Sequence, residues 1–315
     1  MRISGKVPSA ILTSDIHLRE DTPVCRTDDV LATMGRKLAW LRELQQKCGG
    51  VPILDAGDLF NQWKPSPGLL SFAIQNLPKP FYTVPGNHDI PQHSMDLFGK
   101  SGLNTLFVGG HLVVLDKTPW NMYNDFLAWG IPWKSSLSLS VDQLAECQKR
   151  IGRQNRTVLL YHGLVYDSPP WPGAEKEGDS GDGFLKKFPG FDLIVSGHYH
   201  RSFVVQHNGR LLVNPGGIMR MTADEADRQP EVYIWYAEDN SVDVVPVPIE
   251  KGVVIADHLV QQKEKDQRME AFLSRLGSGD IELGLSFREN LTRYMAQNEI
   301  RKGVQDVVWG SMESK

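Results

Sequence analysis

The sequence predicts an α/β fold in which a β-α-β-α-β sheet packs against a second sheet. Three observations support this prediction: five short apolar runs end in polar residues, helical segments separate the first three runs, and two hairpin patterns follow. Alternating strands and helices are typical of α/β proteins, whose functional residues gather at the carboxyl ends of the strands.

The five apolar runs are rich in Val, Ile and Leu, a composition that favours buried strands. Each run leads directly into residues that can carry chemistry. In chain order the runs are "AILTSDIH", "VPILDAGDLF", "FYTVPGNHD", "TVLLYHG" and "DLIVSGHYH".

Two helices are predicted between the first three strands. In "DDVLATMGRKLAWLRELQQKCGG" apolar residues recur at helical spacing from Val30 to Leu44, and the Gly-Gly pair at Gly49 ends the helix. In "SPGLLSFAIQNLP", Ser66 is a candidate N-cap and Pro67 occupies the first helical position.

Two hairpins predict the second sheet. Asn208 and Gly209 separate two apolar runs in "SFVVQHNGRLLVNPG", which is a strong signal for a two-residue turn. The segment "EVYIWYAEDNSVDVVPVPI" predicts another hairpin that turns between Asp239 and Ser241.

Two other segments are less regular. Val165 to Phe184 is rich in Gly, Pro and acidic residues, so we expect no regular element there, only a surface loop or a flap over a site. The segment "TPWNMYNDFLAWGIPWK" contains Trp120, Trp129 and Trp133, which we expect to serve packing rather than substrate stacking.

The character of the sequence changes after Ile249. Residues 257–276 and 286–302 show helical patterns, separated by "GSGD". We therefore predict a main domain over residues 1–250 and a short C-terminal helical extension over 251–315, which either covers the sheet or binds a partner.

The composition limits the class of protein. The chain has 315 residues and a net charge of −4, so it lacks the overall basic character of a free-standing nucleic-acid binder. Its three cysteines are scattered, which favours a reducing, cytoplasmic compartment. No leader peptide and no membrane span are expected.

The polar residues at the strand ends predict a centre of two divalent metal ions. Asp58 follows Gly57, which allows close backbone approach, so its carboxylate can bridge both ions. Carboxylate, amide and imidazole donors suit Mn²⁺, Fe²⁺ or Zn²⁺ better than Ca²⁺, and the lack of thiolates disfavours structural zinc. Two such ions clamp a phosphate and activate water. The candidate donors are Asp15, His17, Asp58, Asn87, His162, His198 and His200.

His88 is assigned a different task. It follows Asn87 directly and is a candidate general acid for the leaving group, with Asp89 orienting its ring. Gly86 is expected to allow a tight turn before these residues.

The motifs "DIH", "GDLF", "GNHD", "HG" and "GHYH", in this order, resemble the signature of the calcineurin-like metallophosphoesterase superfamily. The resemblance implies a four-layer α-β-β-α sandwich with two facing sheets, and it places His88 at the position of the family's catalytic histidine. It also implies that one metal is held by Asp15, His17, Asp58 and His200, and the other by Asp58, Asn87, His162 and His198.

Within this superfamily, "GDLFNQWKPS" and "NPGGIMRMTADEADRQPEVYIWY" resemble the SbcD-type DNA repair nucleases. That resemblance implies a Mn²⁺-dependent exo- or endonuclease that binds DNA, forms a homodimer and works with an SbcC-type ATPase. Arg19, Lys64 and Arg220 lie near the motifs, as phosphate contacts or as solvated surface charges.

Two alternatives stay open. A small-molecule phosphodiesterase or phosphatase, acting on a cyclic nucleotide or a nucleotide-sugar lipid, would need a closed pocket beneath Val165–Phe184. A nuclease would need a basic groove long enough for a duplex. A non-catalytic metal scaffold is disfavoured, because His88 and all seven candidate donors are present.

Overall fold

The structure is a computed structural model that describes residues 5–122, 126–135, 156–255, 287–298 and 300–313. The chain divides into two compact units, Met1–Ile255 and Ala256–Lys315. No helix within the described ranges is long and apolar enough to cross a membrane. That the first unit is a self-contained catalytic domain stays a prediction.

Helices and strands alternate through the first unit, and the second unit contributes the last two helices described. The helices are α1 (Val30–Lys47), α2 (Pro67–Asn76), α3 (Gly102–Val108), α4 (Gly181–Lys187), α5 (Phe287–Gln297) and α6 (Lys302–Glu313). The strands are β1 (Ala10–Thr13), β2 (Ile53–Asp55), β3 (Phe81–Thr83), β4 (Val113–Val114), β5 (Trp120–Met122), β6 (Phe126–Ile131), β7 (Arg156–His162), β8 (Val165–Tyr166), β9 (Asp179–Ser180), β10 (Leu193–Gly197), β11 (Phe203–His207), β12 (Arg210–Asn214), β13 (Glu231–Tyr236) and β14 (Ser241–Pro246).

The strands form two six-stranded sheets. The first has the order β14-β13-β1-β2-β3-β4, in which β1 to β4 run parallel. The second has the order β11-β12-β10-β7-β6-β5, in which β12, β10, β7 and β6 run parallel. The carboxyl ends of the parallel strands in each sheet therefore lie at one edge, which is where the candidate donors follow in the sequence.

Both faces of the first sheet are buried, because its side chains alternate between two apolar layers. Ile11, Ile53 and Phe81 pack with the helices α1 to α3, whereas Leu12 and Leu54 pack with the second sheet. Full burial of one such side chain stabilises the fold by about 1.5–3 kcal/mol.

The helix α4 covers the other face of the second sheet. Its Phe184 and Leu185 pack with Leu159 of β7 and Ile194 of β10. The layers therefore run helix, sheet, sheet, helix, which confirms the predicted α-β-β-α sandwich.

Local signals placed several elements correctly. Asp29 caps α1 by accepting a hydrogen bond from the Ala32 N–H, and Ser66 caps α2 in the predicted manner. Asn208 and Gly209 both have positive φ and join β11 to β12, as a two-residue hairpin turn requires.

Three expectations about regular structure need correction. The second predicted hairpin, formed by β13 and β14, belongs to the first sheet, where β13 pairs with β1, and not to the second sheet with β11 and β12. The segment 165–184 contains β8, β9 and the start of α4, because Val165 and Tyr166 pair with Asp179 and Ser180. Near the C-terminus the helix predicted over 286–302 ends at Gln297, and α6 begins at Lys302. The helix predicted over 257–276 lies outside the described residues.

The segment 217–221 runs beside the end of β1 and is held mainly by side chains. Ser14 forms a β-bridge with Gly217, and all five carbonyls of the segment accept a hydrogen bond from a side chain. The donors are Arg228 to Gly217 and Met219, Lys37 to Ile218, Arg26 to Arg220, and Cys25 to Met221. The wall beside Asp15 is thus fixed by residues far apart in the sequence.

Lys37 makes the stability of this wall dependent on pH. Burial lowers the pKa of Lys37 to about 7, against the opposing charge of Glu250. Between pH 7 and about 10 the unfolded chain binds the proton and the folded chain does not, so stability rises with pH in this window. We expect the free energy of unfolding to rise by about 2–3 kcal/mol more in the wild type than in Lys37→Met between pH 7 and 9.

Urea unfolding at several pH values measures this difference. Lys47→Met, which changes an exposed lysine of the same helix, is the matched control and is expected to keep the wild-type slope. Equal slopes in the wild type and Lys37→Met would contradict the prediction.

Candidate metal centre

The ends of five parallel strands bring all seven candidate donors together. Asp15 and His17 follow β1, and Asp58 follows β2. Asn87 follows β3, while the second sheet contributes His162 from the end of β7 and His198 and His200 after β10.

The loops after β1 and β2 hold their donors in an uncommon backbone conformation. Asp15, His17 and Asp58 have φ values of 51°, 50° and 55°, the left-handed region that non-glycine residues rarely adopt. The Asp15 N–H donates to the Gly57 carbonyl and the His17 N–H to the Asp58 carbonyl, each at 2.9 Å. Such strain persists where surrounding bonds enforce it, commonly at functional sites.

Asp58 lies between the two halves of the cluster. Its Oδ2 is 3.4 Å from Nε2 of His162 and 3.7 Å from Nε2 of His17. On one side, Asn87 Oδ1 lies 3.0 Å from His162 Nε2 and 2.9 Å from His198 Nδ1. Donors from both sheets therefore meet around one carboxylate.

On the other side, His17 and His200 face each other. Their Nε2 atoms are 3.1 Å apart, and Asp15 Oδ1 is 3.7 Å from Nε2 of His200 and 3.9 Å from Nε2 of His17. Donors about 2.1 Å from one ion lie about 3.0–3.5 Å apart, so these separations suit coordination after a small contraction.

The donor atoms form three groups close enough to hold an ion. They are Asp15, His17 and His200; Asp58, His162 and His198; and His17, Asp58 and His88. Asp58 belongs to two groups, as a bridging carboxylate would. The third group includes His88. This geometry is therefore compatible with His88 as a metal ligand instead of the predicted general acid.

The electrostatics of the cluster fit a cation. Asp15 and Asp58 are each 1% exposed, and within the described ranges no lysine or arginine bonds to either carboxylate. Burial lowers the pKa of both His17 and His198 to about 4, so these rings are neutral and keep a lone pair. The single imidazole of the cluster whose pKa is raised, His162, balances only one of these two buried carboxylates, and uncompensated buried charge is costly, so a divalent cation suits this donor set.

The Ala56 carbonyl fixes the orientation of His162. It accepts a hydrogen bond from His162 Nδ1 at 2.6 Å, which leaves Nε2 facing Asp58 and Asn87. Burial lowers the pKa of His162, but the charge and hydrogen bond of Asp58, the charge of Asp15 and the hydrogen bond to Ala56 together outweigh burial and raise it to about 9. A carbonyl that binds the second ring nitrogen is the usual way in which proteins orient metal-binding histidines.

Two glycines permit the close approach of these loops. Gly57 has φ +98°, and a Cβ there would lie 2.5 Å from His162 Nδ1. A Cβ at Gly86 would lie 2.1 Å from Asp58 Oδ1, and the φ of Gly86 is not positive. The expected turn is present, since the Asp89 N–H donates to the Gly86 carbonyl at 3.3 Å, but it is the close contact with Asp58 that requires glycine at position 86.

His88 is exposed at the rim of the cluster. Its N–H donates to Asp58 Oδ1 at 2.8 Å, and its ring Nδ1 lies 2.9 Å from the Asn61 carbonyl. A carbonyl only accepts, so Nδ1 carries the hydrogen and Nε2 is left for other partners.

Asp89 does not supply the orienting contact expected of it. Its buried carboxylate accepts hydrogen bonds from the N–H groups of Leu59, Phe60 and Gly86. Burial, together with the charge of Asp58, raises the pKa of Asp89 to about 7. Asp89 therefore ties the loop after β2 to the loop after β3, and the Asn61 carbonyl orients His88.

Sequence reasoning missed one residue beside the centre, Asp55, and gave another, Trp133, only a general packing role. Asp55, the last residue of β2, is fully buried and accepts hydrogen bonds from the hydroxyls of Thr13 and Thr83 at 3.0 and 2.7 Å. Trp133 lies with its ring 4.6 Å from that of His198. The acidic residue at the end of "VPILD" could have indicated a role for Asp55. The only feature of the sequence that singled out Trp133 was its aromatic side chain.

The other two tryptophans divide between core and surface. Trp129 is fully buried, which confirms its packing role, whereas Trp120 is 42% exposed.

The three cations near the motifs also have different environments. Arg220 is 5% exposed and donates to the carbonyls of Ala226 and Glu250, so it is a structural residue and not a surface charge. Arg19 pairs with Asp21, and Lys64 is exposed. Arg19 and Lys64 line a cavity of about 180 Å³ that also includes Asn61, beside His88.

A sandwich of two sheets that gathers imidazole, carboxylate and amide donors at one edge fits a metal-dependent hydrolase. The chain belongs to the calcineurin-like phosphoesterase family, whose model matches residues 9–202. This match covers every motif from Asp15 to His200.

Known proteins similar to this chain include a DNA double-strand break repair protein, Mre11 from Saccharolobus solfataricus. It is 26% identical over 182 residues, which cover 56% of this chain and 45% of that protein. The chain thus spans less than half the length of this relative.

Among solved structures, TT1561 of Thermus thermophilus matches 77% of this chain and all of its own, at 13% identity and a TM-score of 0.46. A putative 5'-nucleotidase from Staphylococcus aureus matches 81% of this chain and 58% of its own, at 14% identity and a TM-score of 0.46.

Proposed function

We propose that this protein is a DNA nuclease of the SbcD type, which cuts phosphodiester bonds at a centre of two divalent ions, preferentially Mn²⁺. The observation that carries the proposal is the meeting of six donors around the seventh, Asp58, with His88 exposed at their rim. The Mre11 relative supports the nucleic-acid substrate.

The ligand sets follow from the two halves of the cluster. Asp15, His17, Asp58 and His200 would hold one ion, and Asp58, Asn87, His162 and His198 the other. When bound, two such ions supply Lewis-acid activation of the phosphate and of water.

The residues of the chain would do the remaining work. The Asn61 carbonyl holds Nδ1 of His88, so Nε2 is the atom that delivers a proton to the leaving oxygen. Asp89 keeps the loops that carry Asp58 and His88 at a fixed distance from each other. The exposed Lys64 is placed to contact a neighbouring phosphate.

A small-molecule phosphodiesterase is the second candidate. A cavity of about 660 Å³ beside His200 favours it, because its volume lies in the range of roughly 300–1,000 Å³ typical of small-molecule sites. A cyclic nucleotide or a nucleotide-sugar lipid would be its substrate.

The proposal also includes protein partners. By analogy with the SbcD-type nucleases, we propose a homodimer and an SbcC-type ATPase partner, with the C-terminal helices α5 and α6 as a candidate contact for that partner.

The deciding experiment measures hydrolysis with Mn²⁺ on linear double-stranded DNA, single-stranded DNA and bis-p-nitrophenyl phosphate in parallel, with Asp58→Ala as the blank. DNA cleavage that is absent from the blank is the expected result. Cleavage of the small diester alone would overturn the nuclease proposal and favour the second candidate.

A substitution at Trp133 tests the ligand set that contains His198. The ring of Trp133 supports His198, so Trp133→Leu is expected to weaken binding of one Mn²⁺ about 10-fold and to leave the other unchanged. Titration of the metal-free protein with Mn²⁺ measures both affinities.

Trp120→Leu, which alters an exposed tryptophan of β5, is the control for Trp133→Leu. An equal loss at both metal positions would instead indicate a general disturbance of the fold.

A further inference from the structure

The cavity of about 660 Å³ beside His200 borders the donor cluster. His200 forms part of its wall, and its Nε2 lies 3.1 Å from Nε2 of His17 within the donor cluster. A substrate whose phosphate lies on the cluster would therefore place its neighbouring group in this cavity.

Aromatic surface lines the cavity at two points. Trp171, from the segment between β8 and β9, is 42% exposed, and Tyr199, between the donors His198 and His200, is partly buried. A partly exposed indole in the wall of a cavity can stack on a flat ring, and such stacking accepts any base.

The charges of the cavity disfavour a second phosphate. Arg228 pairs with Glu225 at 2.9 Å. The remaining charged residues of the lining are the cation Arg201 and the two carboxylates of Asp224 and Glu231. With two arginines and three carboxylates, the lining carries one net negative charge. Carboxylates accept hydrogen bonds from the exocyclic amino groups of bases, so a neutral flat ring with amino groups suits this lining.

We propose that this cavity is a nucleobase subsite, in which Trp171 stacks on an unpaired base next to the scissile phosphate. The proposal rests on the proposed phosphodiesterase function and narrows its substrate to a nucleotide whose base is out of a duplex. The segment between β8 and β9 would then be a wall of the substrate site.

Binding without turnover gives the first test. Calorimetry compares deoxycytidine 5′-monophosphate with deoxyribose 5-phosphate, which lacks the base, in the Mn²⁺-loaded protein. Trp171→Leu is expected to weaken the nucleotide about 5- to 100-fold and to leave the sugar phosphate within about 2-fold. Trp171→Phe, which keeps an aromatic ring, is expected to retain most of the affinity.

Trp120→Leu is the matched control, because Trp120 is also 42% exposed and is not part of this cavity. An equal loss of both ligands in Trp171→Leu would indicate a structural role, and no detectable nucleotide binding by the wild type would also overturn the proposal.

Turnover separates this proposal from the proposed function. The 5′- and 3′-(p-nitrophenyl phosphates) of 2′-deoxycytidine share their leaving group with methyl p-nitrophenyl phosphate, which has no base. We expect Trp171→Leu to raise KM for one or both nucleoside esters and not for the methyl ester. If the wild type cleaves none of the three, the phosphodiesterase proposal fails, while the calorimetry still tests the subsite.

Discussion

An Asp58→Ala variant is expected to lose both metal ions and at least about 1,000-fold of the turnover. Asp58 Oδ2 lies between His162 of the second sheet and His17 of the first, so its removal takes a ligand from each proposed set. Metal content by mass spectrometry of the dialysed protein, with turnover measured in parallel, tests both losses.

Two further variants make the Asp58 result specific. Asp58→Asn keeps an oxygen that can accept the His88 N–H but removes the charge, so it is expected to retain the fold and lose metal. Asp96→Ala, at an exposed aspartate, is expected to bind metal normally. An Asp58→Ala protein that still held two ions per chain would show that Asp58 is not the shared ligand.

His88→Ala is expected to lose about 100- to 10,000-fold of the turnover on DNA and to keep both ions. Its ring is held at Nδ1 by the Asn61 carbonyl, so the variant removes the atom that would protonate the leaving oxygen. A nitrophenolate leaves without a proton, so cleavage of bis-p-nitrophenyl phosphate is expected to fall far less than cleavage of DNA.

Metal content decides between the two roles that the geometry offers His88. Loss of one ion would identify His88 as a ligand in the group with His17 and Asp58, and would refute the general-acid assignment. His111→Ala, which alters a histidine remote in sequence from all five motifs, serves as the control.

The elements that the sequence predicted well are those with a local physical cause. The cap at Ser66, the turn at Asn208 and the apolar runs before each motif depend only on neighbouring residues. The resemblance of the five motifs, in their order, to the metallophosphoesterase signature then implied two facing sheets, and the position of the motifs at strand ends predicted a common edge.

The parts that sequence could not predict depend on contacts across the fold. The Asn61 carbonyl that orients His88 has no signature, since every residue has a carbonyl. Asp55 acquires its partners only when three parallel strands bring Thr13 and Thr83 beside it. The pairing of Val165 with Asp179 unites two stretches separated by Pro and Gly, which conceal any alternating pattern.

The carboxylate of Asp89 also limits where residues can be inserted into or deleted from this protein. This side chain accepts hydrogen bonds from the Phe60 N–H in the loop after β2 and from the Gly86 N–H in the loop after β3, so it holds both loops. An inserted or deleted residue in either loop would break the bonds that hold the other. Insertions are therefore tolerated best where no such bond exists, such as the exposed tip between β8 and β9, which also borders the cavity beside His200. New substrate preferences can arise there while the spacing of the metal-binding loops stays constant.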